Sequence, residues 1–243
     1  MPSTPTAVRA EPGGRPVAVV TGANRGIGYE VARQLLERGY EVVLGSRDLT
    51  KGQEAARALD AAGGSVHAVQ LDVSDEASVS AMGTWARANL GRADVLVNNA
   101  AILYDTWQRA ESADLDIVRA ALETNLLGAW RTIQELLPLL RNSPRARIVN
   151  VSSEAGAISE MSGGAPAYSV SKASLNALTK LLAGELRPHR ILVNAVCPGW
   201  TATDMGGGGR PIPEGAAGVM WAVDLPDDGP TGGFFRDGRP LPW

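Results

Sequence analysis

A tyrosine and a lysine stand four residues apart in Tyr168-Ser169-Val170-Ser171-Lys172, a spacing that puts both on one face of a helix. The phenol can move a proton. Its ordinary pKa, about 10, is too high for an efficient base near neutrality, and a neighbouring ammonium is expected to lower it. Far upstream, Thr21-Gly22-Ala23-Asn24-Arg25-Gly26-Ile27-Gly28 follows an apolar run and opens a helical pattern. Glycines there let backbone approach a pyrophosphate while helix amides face its charge. A proton-moving pair and a dinucleotide turn together point to hydride exchange between a nicotinamide and a carbonyl or alcohol carbon. Each motif alone has a bland reading, a surface pair or a flexible turn, so the elements that position them carry the argument.

Those elements alternate. Pro16–Thr21, Tyr40–Leu44, Val66–Leu71, Asp94–Val97, Ala146–Val151, Ile191–Ala195 and Gly232–Phe235 read as short apolar strands. Helical patterns run from the glycine turn to about Arg38, from Thr50 to Ala62, from Asp75 to Leu90, across 115–140 and across 166–186. The expected fold is a single-domain α/β, doubly wound Rossmann-type arrangement of about seven parallel strands flanked by helices. Residues 1–15 are Pro/Gly-rich and read as a disordered lead, with residues 16–243 the single catalytic domain. Ligands should bind beyond the carboxyl ends of the strands.

Composition narrows the function classes. The 243 residues suit one full core, and a net charge of -3 gives no general reason to expect nucleic acid or an anionic membrane as partner. No apolar run is long enough to span a bilayer. The lone Cys197 excludes an intrachain disulfide, and His67 and His189 lack ligand spacing, so no metal site is expected. A reducing, cytoplasmic setting fits.

The turn is TGxxxGxG rather than GxGxxG, and from Pro16 to Trp243 the chain resembles the short-chain dehydrogenase/reductase family. Several motifs in the right order carry that resemblance: the glycine turn, Asn98-Asn99-Ala100-Ala101 in place of NNAG, Ser152-Ser153, the YxxxK pair, and Cys197-Pro198-Gly199-Trp200-Thr201-Ala202-Thr203 in place of PGxxxT. It implies a catalytic tetrad of Asn125, Ser153, Tyr168 and Lys172. Ser153 would hold the substrate oxygen, with Ser152 the neighbouring alternative. Asn125 would join Lys172 through a water, or else simply make a helix–helix hydrogen bond. For the cofactor, the resemblance implies contacts from Gly22, Asn24, Arg25, Gly26, Ile27 and Gly28, from Asp72 and Val73 at the adenine, and from Asn98 and Ala100 beside the turn. Tyr168, Lys172, Pro198, Gly199, Thr201 and Thr203 would hold the nicotinamide end. Asp72 is alternatively a helix cap.

Strand two ends in Gly45-Ser46-Arg47, where an acid would grip a ribose 2′-hydroxyl. Ser46 replaces that acid, and Arg47 with Arg25 can clamp a 2′-phosphate. NADP(H) is therefore expected in preference to NAD(H), which stays open; Asp48 turned inward would weaken the inference. Local stretches at 45–53, 197–205 and 232–238 are closest to NADPH-dependent carbonyl reductases, implying a small carbonyl or alcohol substrate. The insertion that keeps some of those relatives monomeric is absent here, so the resemblance favours a homodimer or homotetramer and leaves a monomer open. Glycines 206–209 suggest a mobile, poorly covering loop over a cleft walled by Ile102, Leu103, Tyr104, Met161, Trp200 and Met205. Trp107, Trp130 and Trp221 are read as packing residues, and Trp243 as packing over the cleft or across a subunit boundary.

Overall fold

The computed structural model describes residues 14–60, 65–102 and 104–243. The expected 1–15 lead lies outside them except for Gly14 and Arg15, as does Leu103. Eight strands form one sheet in the order β3-β2-β1-β4-β5-β6-β7-β8. They are β1 (Val17–Thr21), β2 (Glu41–Ser46), β3 (Ser65–Gln70), β4 (Val95–Asn98), β5 (Arg147–Val151), β6 (Leu192–Val196), β7 (Phe234–Arg236) and β8 (Arg239–Pro240). The first seven are parallel, as the sequence predicts. The eighth is an addition, antiparallel to β7. Its signal was present: Asp237-Gly238, both at positive φ, is the dipeptide that favours a tight hairpin turn.

The helices are α1 (Gly26–Glu37), α2 (Leu49–Asp60), α3 (Glu76–Asn89), α4 (Leu115–Leu122), α5 (Ala129–Arg141), α6 (Pro166–Glu185) and α7 (Ile212–Val223). Side chains alternate across each strand, so β1 feeds two cores. Val17 and Val19 join α3, α5 and α6 on one face, while Ala18 and Val20 join α1, α2 and α7 on the other. Helix α7 escapes the sequence reading because its Ile-Pro-Glu-Gly start follows four glycines and reads as loop. Pro211 and Pro213 instead sit at the cap and first turn, where proline is tolerated.

The expected 115–140 helix is broken. Between α4 and α5, Glu123–Gly128 forms a π-helical segment, with Asn125 buried inside it. Such widened turns concentrate at functional sites. The chain order reverses between β1 and β4, opening a crevice at the carboxyl ends of β1, β4 and β5.

Candidate active site

The glycine turn fits a dinucleotide. Gly22 has φ +63°, and a β-carbon at Gly28 would lie 2.4 Å from Asn99 Nδ2 and 2.6 Å from the Gly22 carbonyl oxygen. Asn99 accounts for that tightness: its Nδ2 donates to the carbonyls of Thr21 (2.9 Å) and Gly22 (3.1 Å). The Thr21 hydroxyl in turn accepts from the amides of Asn99 and Ala100. Asn98 ties strands only, donating to Asn150 Oδ1 at 2.9 Å, and Asn99 with Thr21 braces the turn. Asn98 Oδ1 is buried without a partner among the described residues. Across the turn, Thr203 Cγ2 would lie 3.7 Å from a β-carbon at Gly26, so the loop after β6 closes the groove from the far side. Asn24 and Ile27 are half-buried in the turn, and Ile27 reaches the cleft.

At the end of β2, Ser46 is buried and its hydroxyl donates to the Asp48 carbonyl. Arg47 is exposed and makes no ion pair among the described residues. The Asp48 carboxylate caps α2, accepting from the Lys51 amide at 3.2 Å, and that bond holds it below the usual carboxylate range. It is therefore engaged away from a 2′-phosphate. Arg25 pairs with Asp204 across the groove. Asp72 is not the α3 cap: Asp75 caps by accepting from the Ala77 amide, and Asp72 Oδ1 accepts from the Ser74 amide and hydroxyl. Val73 is buried.

Tyr168 and Lys172 lie on α6, both buried, with Lys172 Nζ 5.5 Å from the phenol ring centroid. Nζ donates to the Val151 carbonyl at 2.8 Å. The expected lowering of the phenol pKa is not what the chain alone produces. Burial pushes Tyr168 up to about 12, against a smaller lowering from its hydrogen bond with Ser153. Burial also pushes Lys172 down to about 8. Desolvation disfavours the charged form of each and is the largest cause of both shifts.

The two serines divide their work. The Ser152 hydroxyl donates to Asn176 Oδ1 at 2.6 Å and locks the end of β5 to α6. Ser153 faces the phenol and lines the cleft. Asn125 Oδ1 accepts from the Ile102 amide (2.8 Å), while Nδ2 donates to the Ile102 carbonyl (3.1 Å) and to Ser171 Oγ (3.0 Å). The side chain thus makes the helix–helix hydrogen bond to α6. Cys197 is buried beside the site, and burial pushes its thiol up.

A cleft of about 640 Å³ opens over Tyr168 and Ser153. Tyr104, Met161, Trp200 and Met205 line it, and Ile102 does not. The Tyr104 ring meets Tyr168 edge-on at 5.3 Å and Trp200 at 5.6 Å. Pro198, Gly199, Thr201 and Thr203 form the far lip. The loop after Trp200 is pinned rather than loose. Arg210 donates to the Pro198 carbonyl and pairs with Asp237, and its amide donates to the Trp200 carbonyl. Trp107 and Trp130 are exposed, against expectation, whereas Trp221 packs on Phe235. Trp243 stacks on Phe234, and its carbonyl accepts from the Ser159 amide at the cleft rim. Among the described residues no cluster of acids, histidines and cysteine could hold a metal, and no helix is long and apolar enough to cross a membrane.

A dinucleotide groove meeting a buried phenol, lysine and serine defines an oxidoreductase of the doubly wound class. Residues 16–211 match the family model for short chain dehydrogenases. Carbonyl reductase [NADPH] 1 of Sus scrofa is 35% identical, over 93% of this chain and 94% of that protein. The crystal structure of NADPH-bound carbonyl reductase from chicken fatty liver superposes with a TM-score of 0.85 at 29% identity, covering 94% of this chain and all of that one. Salutaridine reductase from Papaver somniferum gives 0.81 at 31% identity, covering 92% and 100%. The chain belongs to the short-chain dehydrogenase/reductase family.

Proposed function

We propose that this chain uses NADP(H) to reduce the carbonyl of a ketone or aldehyde to an alcohol. The observation that carries the reading is the buried phenol. It lies beside Ser153 and opens on the cleft next to the dinucleotide groove, where a bound carbonyl oxygen could take its proton. Ser153 beside it orients the carbonyl oxygen by hydrogen bonding. Tyr168 gives its proton to that oxygen as negative charge develops there. The Lys172 ammonium, anchored on the Val151 carbonyl, then offsets the phenolate.

The turn from Gly22 to Gly28 would hold the pyrophosphate, Arg47 and Arg25 the 2′-phosphate, Asp72 and Val73 the adenine side. Lys172 and the 198–203 lip would hold the nicotinamide end. When bound, the nicotinamide supplies or accepts the hydride at the substrate carbon. Preference for the phosphorylated cofactor is supported by Arg47, exposed and in no ion pair among the described residues, by Ser46 where an acid would repel phosphate, and by Asp48 turned to its own helix. The pig and chicken relatives are themselves named with NADPH. A carrier-bound substrate would want a basic docking patch, whereas the charged residues that line the cleft, Glu154 and Glu160, are acidic and nearby Arg210 is paired with Asp237.

The test is nicotinamide consumption with NADPH and with NADH against aldehydes, ketones and β-keto esters. NADPH-selective turnover of several members is expected. Silence across the panel with NADPH binding intact would overturn reduction of free carbonyls.

A further inference from the structure

The acid–base tyrosine sits three residues into α6, a helix with no cap of its own. Its cap position is Ala165, held in the left-handed region at φ 44°, and Ala165 has no side chain that could accept from the first amides. A carboxylate from far upstream does so instead. Asp105 is wholly buried, and its Oδ2 accepts from the Ala167 amide at 2.9 Å while Oδ1 accepts from the amide of Tyr168 itself at 3.0 Å. Gln108 Nε2 donates to Oδ2 at 3.0 Å and fixes the carboxylate from its other side. The negative charge meets the positive end of the α6 dipole.

The other end of the same residue is gripped from the same segment. The Tyr168 carbonyl accepts from Ser171 Oγ (2.7 Å), which accepts from Asn125 Nδ2, which donates in turn to the Ile102 carbonyl. Tyr104, between these two anchors, sets its ring edge-on against the phenol. Asp105 and Tyr104, just after β4, thus clasp Tyr168 at its amide and its ring, and Ile102 is linked to its carbonyl through Asn125 and Ser171. Strand β4 belongs to the cofactor groove, so the clasp ties the acid–base residue to the groove rather than to its own loop.

We propose that Asp105 is the positioning residue for Tyr168: through the Ala167 and Tyr168 amides it fixes the axial placement of α6 and so the phenol's distance from the substrate oxygen. It touches neither substrate nor cofactor. This inference rests on the reductase reading for its effect on rate, but its structural part does not. Misplacing a reacting group by about 1 Å can cost on the order of a hundredfold.

The experiment compares wild type with Asp105→Asn and Asp105→Ala, scoring turnover per NADPH-binding site and amide hydrogen exchange across 166–172. Asparagine is nearly isosteric and keeps one acceptor, so it guards against simple misfolding of the alanine variant. Asp105→Ala is expected to lose about 10- to 100-fold in kcat, and Asp105→Asn about 3- to 10-fold, with NADPH affinity and substrate KM within about twofold. Exchange at 166–172 should quicken in both variants while the rest of α6 stays protected. Wild-type kcat per binding site in Asp105→Ala, or in Asp105→Asn if the alanine variant does not fold, would overturn the proposal. So would a fall in thermal stability alone. If the wild type reduces no carbonyl, the reductase reading fails, and exchange decides for Asp105: quickened exchange upholds the clasp and unchanged exchange refutes it.

Discussion

The glycine turn after β1 and the loop after β6 face each other across one groove, yet they are held by opposite means. The turn is fixed by backbone: Asn99 and Thr21 bind main-chain atoms within a few ångströms, and an added β-carbon at Gly28 has no room. The 198–210 loop is closed on itself by main-chain bonds between Trp200–Ala202 and Arg210, and it is tied to the rest of the fold by side chains, Arg210 on Asp237 and Asp204 on Arg25, while Trp200 and Met205 stay exposed above the cleft. A backbone-built site suits a ligand whose phosphates never vary. A loop tied to the fold by side-chain pairs at its ends can change its exposed side chains without disturbing those anchors, which suits the end of the site that selects the substrate.

Three substitutions would break or sharpen that contrast. The largest effect is expected from Lys172→Met, which should lower turnover by about 10²- to 10⁴-fold. It also carries a pH signature. The folded pKa, about 8, lies below the model-compound value of 10.5, so between them the unfolded chain binds more protons. Wild-type stability should therefore gain on the order of a few kcal/mol from this group as pH rises from about 8 toward 10.5. Tyr168, raised from 10.0 to about 12, works against stability only above about 10. Urea midpoints across pH 7 to 10 should show the rise in wild type and its absence in the methionine variant; parallel curves would refute the buried-lysine account.

Gly28→Ala should come next. The new methyl must displace Asn99 or the Gly22 carbonyl, costing about 1–3 kcal/mol in stability and more than tenfold in NADPH affinity. Unchanged cofactor affinity, measured by nicotinamide fluorescence, would mean the turn is not the cradle. Arg210→Met should act least and only on the other side, raising substrate KM a few-fold while NADPH affinity holds. An equal loss on both sides would erase the distinction between the two regions.

Legibility in the sequence followed the same divide. Apolar runs and glycine spacing are local signals, so the seven parallel strands, the turn and the Tyr168–Lys172 face could be read directly. Bonds that join distant segments could not. Asp105 lies 63 residues before the amide it caps, in a stretch with no pattern of its own. The role of Asn99 in bracing the turn depends on the register of β1 and β4, which the adjacent asparagines alone do not display. The π-helical segment around Asn125 keeps an ordinary helical hydrophobic pattern, and α7 was hidden by prolines that mark its start. Glycines 206–209 suggested mobility because Arg210, which anchors them, reads in one dimension only as a surface charge.

The central claim, that a buried Tyr168 supplies the proton, is tested most directly by Tyr168→Phe, which removes one oxygen and keeps the ring that packs on Tyr104. NADPH titration and carbonyl turnover should be measured on the same preparation. The account predicts affinity within about twofold of wild type and turnover lowered by about a thousandfold or more. Turnover retained at the wild-type level, with NADPH bound, would contradict it.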